Sequence, residues 1–147
     1  MAKTQLILSD FLPYRLSVLS NRISDDIGRI YSERFNMTLP EWRVMAVLGE
    51  ETDISASMVA ERTAMDKVAV SRAVKRSLDA GRLVRHFASD DKRRSVLALS
   101  ADGRAIYDQI CPLAKHYESQ LLAGFTKEER RQIDTLLNKL SDMQRQH

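Results

Sequence analysis

Residues 66–99 constrain the fold most, because a helical spacing of apolar residues gives way there to a strand pattern. Val70, Val74 and Leu78 fall on one stripe of a helix. Asp66 can cap the first turn, and Gly81 can adopt the left-handed conformation that ends a helix. The sequence therefore predicts a helix of about four turns between these two residues. The side chains off the apolar stripe are polar or cationic: Lys67, Ser71, Arg72, Lys75 and Arg76.

A β-hairpin is predicted directly after this helix. Leu83–Phe87 and Ser95–Leu99 are short runs of β-branched, aromatic and aliphatic residues, and a charged connection separates them. That connection, Asp90–Arg94, places three cations at the tip of the hairpin. Like charges repel, so such crowding is unusual unless an anion offsets it. A helix and a hairpin tip that are both cationic favour DNA phosphate as that anion.

Positive charge is concentrated in this part of the chain. The whole sequence has 23 Lys and Arg and 20 Asp and Glu, a net charge of +3. Residues 67–104 contain ten of the Lys and Arg residues and four of the Asp and Glu residues. The rest of the chain contains 13 Lys and Arg and 16 Asp and Glu. The basic segment is therefore local, as expected of a surface that binds nucleic acid.

Length and composition limit the classes of protein that fit. A chain of 147 residues suits one domain with a substantial core. Cys111 is the single cysteine, which excludes an intrachain disulfide framework and fits a reducing compartment. The apolar run Leu6–Leu8 is too short for a signal peptide, and no later run reaches membrane length. We expect a cytoplasmic protein without a membrane partner.

Three helices are predicted before the cationic one. Apolar residues recur at three- and four-residue intervals from about Ser9 to Arg34, with Pro13 in the first turn. Thr38 and Glu41 form a potential capping box that opens a second helix. Ser55 or Ser57 opens a brief third helix, and residues 63–65 make a tight turn into the cationic helix. This is the spacing of a helix-turn-helix.

Two further helices are predicted after the hairpin. Ser100 caps a long one, in which Pro112 bends the helix or interrupts its hydrogen bonds. Thr126 and Glu129 form a second potential capping box before an amphipathic last helix. The apolar faces of the first and last helices favour pairing between two chains, although an intrachain helical bundle could also cover them. A two-fold dimer would place two reading helices about 34 Å apart, one turn of DNA.

These segments resemble the MarR family of winged helix-turn-helix transcriptional regulators, and the match covers nearly the whole chain. The hairpin is the most specific part: it resembles the Asp-x-Arg signature of the family followed by Leu-Thr-x-x-Gly, with Ser100 in the threonine position. Four pieces carry the resemblance: Leu39–Val44, Met65–Val74, Asp91–Arg94 with Leu97–Gly103, and Glu128–Arg131.

The resemblance implies a mainly α fold with a small β-hairpin wing (α+β), in which long N- and C-terminal helices make a homodimer. Residues 1–147 would form a single domain, with residues 39–104 as the winged helix-turn-helix module. Residues 1–38 and 105–147 would form the dimerisation region. The chain would then be a transcriptional regulator, a repressor, that binds a pseudo-palindromic site on double-stranded DNA.

Three positions depart from the family pattern. Ser77 stands where the reading helix generally has leucine, and Ala64 where the turn often has glycine. Arg82 replaces a commonly apolar residue, and the sequence does not reveal the partner of this cation.

DNA contacts of three kinds are expected. Residues at the exposed start of the reading helix would reach base edges, those nearer its end and in the hairpin would contact phosphate, and Arg93 would enter the minor groove. Each cation could instead be a solvated surface charge, and Arg72 or Arg76 could pair with Asp79 or Glu61. The expected base contacts are Lys67, Val68, Ser71 and Arg72, and the expected phosphate contacts are Lys75, Arg76, Lys92 and Arg94.

The resemblance also implies a small-molecule effector, often aromatic or phenolic, bound between the dimer arms and the reading module. Tyr14, Arg15, Trp42 and Arg43 are the candidate pocket residues. Alternatively, Trp42 is a core residue and Arg43 a surface one.

An enzyme is not expected. The five glycines are dispersed, no Gly-x-Ser-x-Gly or His-Glu-x-x-His occurs, and His86, His116 and His147 lack metal-ligand spacing. Cys111 and His116 are five residues apart and need not share a helical face, so packing is the expected role of both. We expect no catalytic residues, metal or cofactor. The alternative function is a non-catalytic helical dimer that acts in protein interaction or as a non-specific architectural DNA binder.

Overall fold

The computed structural model describes residues 3–88 and 94–146 of the chain. A short 3-10 turn, Leu8–Asp10, precedes α1. The hairpin lies between α4 and α5 in sequence, so the architecture is mainly helical with one small sheet, as predicted. The elements are α1 Leu12–Phe35, α2 Leu39–Glu50, α3 Ala56–Thr63, α4 Lys67–Asp79, β1 Leu83–Phe87, β2 Ser95–Leu99, α5 Ala101–Leu121 and α6 Lys127–Arg145.

Two apolar clusters hold the first part of the chain together. One joins α2, α3, α4 and both strands; the other joins α1, α2 and the first half of α5. Burial of these apolar side chains is the main force that orders the helices. The first cluster contains Val44, Leu48, Val59, Ala60, Val70, Ala73, Val74, Leu83 and Leu97. The second contains Tyr31, Met37, Met45 and Ile110.

Helix α1 begins at Leu12, a little later than predicted from the periodicity. Pro13 lies in its first turn, where the missing N–H of proline costs no hydrogen bond. The helix ends at Phe35, and the next residue, Asn36, is left-handed with φ 52°. Asparagine tolerates this conformation better than most residues, so it can end a helix as glycine does.

Side-chain caps begin the next three helices. Thr38 accepts a hydrogen bond from the Glu41 N–H at 3.3 Å, Ser55 one from Met58, and Asp66 one from Ala69. The predicted capping box at Thr38 is only half formed. The Glu41 carboxylate does not return to the Thr38 backbone, because it binds the guanidinium of Arg82 at 3.3 Å.

The hairpin is antiparallel, and its register runs from Leu83 opposite Leu99 to Phe87 opposite Ser95. The connection between α2 and α3 adds an isolated bridge to β2: the Leu97 N–H donates to the Ile54 carbonyl at 2.8 Å. Asp53, at φ 61°, also donates its N–H to the Leu97 carbonyl at 3.0 Å. The middle of β2 is thus bonded to the helix-turn-helix as well as packed on it.

Helix α5 starts where predicted, with the Ser100 hydroxyl accepting from the Gly103 N–H at 3.0 Å. The helix continues through Pro112 to Leu121, although Pro112 has no N–H to donate. A Cβ at Gly103 would overlap the backbone carbonyl of Arg82. Glycine is therefore required for the close approach of α5 to the chain that leaves α4.

The chain forms two compact units, residues 1–111 and residues 112–147. Within the second unit, Thr126 and Glu129 complete the predicted capping box, with bonds of 3.1 and 2.9 Å. The Arg130 guanidinium also donates to the Leu122 carbonyl at 2.8 Å. These bonds join the end of α5 to the start of α6.

No helix in the described residues is long and apolar enough to cross a membrane. Over residues 3–88 and 94–146, no three His, Cys, Asp or Glu side chains are grouped so that they could hold a metal ion.

Candidate nucleic-acid interface

The outer face of α4 carries every predicted DNA-binding residue of that helix. The inner face, with Val70, Ala73, Val74 and Ser77, is buried against the first cluster. Val68 is the one large apolar side chain on the outer face, and it is 55% exposed. The exposed set is Lys67, Val68, Ser71, Arg72, Lys75 and Arg76.

In the described part of the chain, the two arginines of this face do not pair with the acidic residues that the sequence offers as partners. Among the described residues, neither Arg72 nor Arg76 forms an ion pair with Asp79 or Glu61. Both arginines line a recess of about 330 Å³ beside the start of α2, together with Thr38 and Pro40. Two guanidinium groups four residues apart at one recess are suited to an anion such as phosphate.

The turn before α4 fixes the start of this face. Ala64, which ends α3, is left-handed with φ 54°. The Thr63 hydroxyl donates to the Val59 carbonyl at 2.8 Å and accepts from the Met65 N–H at 3.3 Å. Nearby, Arg62 binds Glu51 at 3.0 and 3.3 Å, and this guanidinium lowers the pKa of the Glu51 carboxyl.

The hairpin carries a second set of predicted DNA-binding side chains, in the connection between β1 and β2. Arg94 is exposed just before β2, and its carbonyl accepts from the Ala88 N–H at 2.9 Å. Lys92 and Arg93 lie outside the described residues. Sequence reasoning did not select Arg85 and Phe87, which are exposed on β1; Phe87 is 64% exposed. Strand alternation alone cannot single out such residues, because exposed strand positions are ordinary.

A contact between two side chains joins the hairpin to the helix-turn-helix. His86 Nε2 lies 3.0 Å from Asp53 Oδ1, with about half of each side chain exposed. Asp53 therefore contacts both strands: its backbone bonds β2 and its side chain reaches β1. This contact and the backbone bond of Asp53 link both strands to the connection between α2 and α3.

Arg82 is not part of the exposed cationic surface. Its side chain is 12% exposed, and it donates to the Glu41 carboxylate at 3.3 Å and to the Phe35 carbonyl at 2.8 Å. Its partner was not apparent in the sequence because Glu41 is 41 positions away.

A cavity of about 440 Å³ lies between α1 and α2, with Trp42 and Arg43 in its wall. The Trp42 ring centroid lies 5.0 Å from that of Tyr31 and 6.0 Å from that of Tyr107. Arg43 donates to the Ser24 hydroxyl at 3.3 Å. The other residues that line this cavity are Leu16, Leu19, Ser20, Ile23, Ser24, Ile27, Tyr31 and Leu39.

Tyr31 places a buried hydroxyl group in the wall of this cavity. The side chain is fully buried, and its oxygen has no hydrogen bond to any described residue. Burial raises the pKa of Tyr31 to about 12, with a further rise from Cys111; the Trp42 indole and Arg43 lower the pKa. Tyr107 is affected differently, since its hydrogen bond with Cys111 is the main cause that raises its pKa.

Tyr14 and Arg15 line a different cavity. It has a volume of about 520 Å³ and lies along the first half of α1. The two cavities share Leu16 and Leu19 in their walls, but the structure places the four predicted pocket residues in two pairs.

Comparison with known proteins finds similarity to transcriptional regulators. Residues 35–94 match a model of the MarR family. The HTH-type transcriptional regulator BilQ of Clostridium symbiosum is 26% identical over 68% of this chain and 69% of its own length. The homoprotocatechuate degradative operon repressor of Escherichia coli is 25% identical over 71% of each chain. The crystal structure of a MarR/EmrR family regulator from Acinetobacter sp. ADP1 superposes with a TM-score of 0.90 and 27% identity, covering 97% of this chain and 100% of that one.

Proposed function

We propose that this chain, a member of the MarR family of transcriptional regulators, binds a pseudo-palindromic DNA operator as a homodimer and represses transcription from it. The proposal is carried by the outer face of α4, where five polar or cationic residues are exposed beside a single apolar one. The family and the relatives named above are regulators, so a catalytic role is not proposed.

Residues of this face would divide their roles between base edges and phosphates. Lys67, Val68, Ser71 and Arg72 would read bases, and a bidentate arginine on guanine contributes about 1–3 kcal/mol of discrimination. Lys75 and Arg76, with Arg94, would bind phosphates, which adds affinity and salt dependence. Lys92 would do the same, and Arg93 would enter the minor groove.

A homodimer is supported by apolar side chains that each unit leaves in solvent. Leu136, Leu137, Leu140 and Met143 on α6 are 40–59% exposed. At the other end of the chain, Leu8, Phe11 and Leu12 are 39–46% exposed. Exposed apolar surface on this scale favours contact with another chain, and a two-fold dimer would bring two copies of α4 to one face of DNA.

Regulation by a small aromatic molecule is also proposed. The cavity between α1 and α2 has a volume in the range of small-molecule sites and combines apolar walls with a few polar groups. Trp42 would stack on a ring, and Arg43 would bind an anionic substituent. Tyr14 and Arg15, in the neighbouring cavity, would contact the ligand only if the two cavities join.

Selection of bound duplexes from random DNA at two salt concentrations tests this function. Enrichment of a pseudo-palindrome with half-sites about 10 base pairs apart is expected. Binding without sequence preference would favour the architectural alternative, and no binding even at low salt would favour a protein-interaction role. Either result would overturn the proposal.

Variants of α4 separate the two kinds of contact. Arg72→Ala should weaken binding to the selected duplex and relax its preference at one base pair, by about 1–3 kcal/mol. Lys75→Ala should weaken all duplexes about equally and reduce the salt slope by about one. Lys139→Ala, an exposed cation on α6, is the control. Identical profiles for the first two variants would contradict these assignments.

A further inference from the structure

Arg82 has two acceptors on two different elements. One guanidinium nitrogen lies 3.3 Å from Glu41 Oε2 in the first turn of α2, and another lies 2.8 Å from the carbonyl oxygen of Phe35, the last residue of α1. The side chains of Arg82 and Glu41 are 12% and 7% exposed. This is a nearly buried, charge-assisted junction of three chain segments.

The backbone of Arg82 is held as closely as its side chain. Its N–H donates to the Ser77 carbonyl in the last turns of α4, and its carbonyl accepts from the Ser100 N–H at 3.0 Å. The carbonyl also lies where a Cβ of Gly103 would be, so α5 packs directly on it. Arg82 therefore connects the end of α4 to α1, α2 and α5 through hydrogen bonds and backbone contact.

The hydrogen bonds of Arg82 are directional, so their effect on α4 differs from that of apolar packing. The inner face of α4 is held by Val70, Ala73 and Val74, and hydrophobic contact is non-directional. A planar guanidinium with two acceptors fixes both distance and orientation. Because α4 has 13 residues and is about 20 Å long, a rotation of a few degrees at its end moves the outer face by about 1 Å at its start.

We propose that Arg82 is a positioning residue for DNA recognition: its bonds to Glu41 and Phe35 fix the orientation of α4, and so determine how well the protein discriminates between DNA sequences. This inference rests on the proposed DNA-binding function. Arg82 itself does not contact DNA, because its guanidinium is buried and occupied. Side chains that recognise a ligand must be held to within about half an ångström, by packing together with supporting hydrogen bonds.

A double variant separates positioning from stability. Loss of one partner alone leaves a buried charge, so Arg82→Met or Glu41→Leu singly should lower the denaturation midpoint. Arg82→Met with Glu41→Leu replaces the pair by apolar groups of similar size, which is often neutral for stability. Arg131→Met with Glu128→Leu is the matched control, since it removes an exposed Arg–Glu pair of α6, outside the helix-turn-helix.

The ratio of the dissociation constants for a scrambled duplex and for the duplex selected by the wild-type protein is measured. The Arg82→Met, Glu41→Leu variant should keep a denaturation midpoint close to that of the wild type, and its ratio should fall about tenfold or more. The control pair should leave the ratio unchanged. Arg82→Lys should restore stability better than discrimination, because one ammonium group does not reproduce the two-acceptor geometry. Wild-type discrimination in the double variant would overturn the proposal, and so would an equal loss of affinity for both duplexes.

Amide hydrogen exchange tests the same junction without DNA. Residues 77–84 should exchange faster in the double variant than in the control pair, while the N-terminal half of α1 is unchanged. Unaltered protection of residues 77–84 would overturn the positioning role by itself. If the wild-type protein selects no duplex but the exchange result holds, the proposed function fails while the junction stands.

Discussion

The hydroxyl group of Tyr31 is buried without a hydrogen bond to any residue in the described part of the chain. An unsatisfied buried hydroxyl costs about 1–3 kcal/mol. Tyr31→Phe should therefore raise the free energy of unfolding by about 1 kcal/mol at pH 7, as measured by urea denaturation. Tyr14→Phe, at a half-exposed position, should change it by less than about 0.5 kcal/mol. A destabilised Tyr31→Phe variant would indicate that the hydroxyl has a partner in solution.

The same side chain makes stability depend on alkaline pH. The pKa of Tyr31 is raised from 10.0 to about 12, chiefly by burial, so the folded protein keeps a proton that the unfolded chain releases. Ionisation of this group in the unfolded chain leaves stability unchanged below pH 10 and lowers it as the pH rises towards 12. The difference in unfolding midpoint between the wild type and Tyr31→Phe should widen over this range. Parallel pH curves for the two proteins would contradict the raised pKa.

Ala64 adopts the left-handed conformation that glycine takes more easily, with φ 54° and ψ 27°. This conformation costs a residue with a Cβ about 1–2 kcal/mol. Glycine avoids that cost, but it offsets part of the gain because it has more conformational entropy in the unfolded chain. Ala64→Gly should therefore stabilise the protein by about 0.5–1 kcal/mol. Ala105→Gly, at an exposed position inside α5, should destabilise it by a similar amount. Destabilisation by both variants in thermal melts would show that Ala64 is not strained.

At the scale of elements, the start of α5 depends on one small residue. Since a Cβ at Gly103 would overlap the Arg82 carbonyl, Gly103→Ala should destabilise the protein by about 2 kcal/mol or more. Gly28→Ala in α1, where an added Cβ would have no other atom within 4 Å, should instead stabilise by up to about 1 kcal/mol. Chemical denaturation of the two variants measures both changes in the free energy of unfolding. Equal effects would mean that α5 can move away from Arg82 without cost.

The elements themselves were largely predictable from local signals. Capping residues and periodicity identified the helices, and the strands follow the two runs of β-branched and aliphatic residues. The half-formed cap at Thr38 was not predictable, because the carboxylate of Glu41 is taken by a residue distant in sequence. Propensity and capping rules describe a segment by itself, whereas this outcome depends on tertiary contact.

In the candidate site, too, features set by local sequence were predictable and features set by tertiary packing were not. The outer face of α4 was predictable, because helical spacing alone places its exposed residues on one side. The grouping of the pocket residues was not, since the separation of Tyr14 and Arg15 from Trp42 and Arg43 depends on how α1 packs on α2. Lys92 and Arg93 remain predictions from the sequence, as do all individual contacts with DNA.

At the scale of the whole molecule, the proposed homodimer should depend on the apolar face of α6. Leu137 and Leu140 are 50% and 40% exposed within their unit. Leu137→Glu with Leu140→Glu should convert a dimer to a monomer in sedimentation equilibrium, because charges buried in an apolar interface are strongly disfavoured. Helix content by circular dichroism should be retained.

The control is Asn138→Glu, which adds a charge to an exposed polar position of the same helix and should leave the dimer intact. A double variant that remains dimeric would place the interface elsewhere and remove α6 from the proposed arrangement. The assignment of residues 1–38 and 105–147 to dimerisation, and of residues 39–104 to the winged module, depends on this result.

The bridge between Ile54 and Leu97 has a consequence for how the molecule folds. It closes a loop that contains α3, α4 and β1, and loop closure over such a length costs about 3 kcal/mol of chain entropy. Contacts so distant in sequence tend to form late. A chain that emerges from the ribosome and has not yet reached Leu97 would contain α4 but not β2, the strand that bonds to the connection between α2 and α3. The DNA binding proposed above would then become possible only in a single late step of folding.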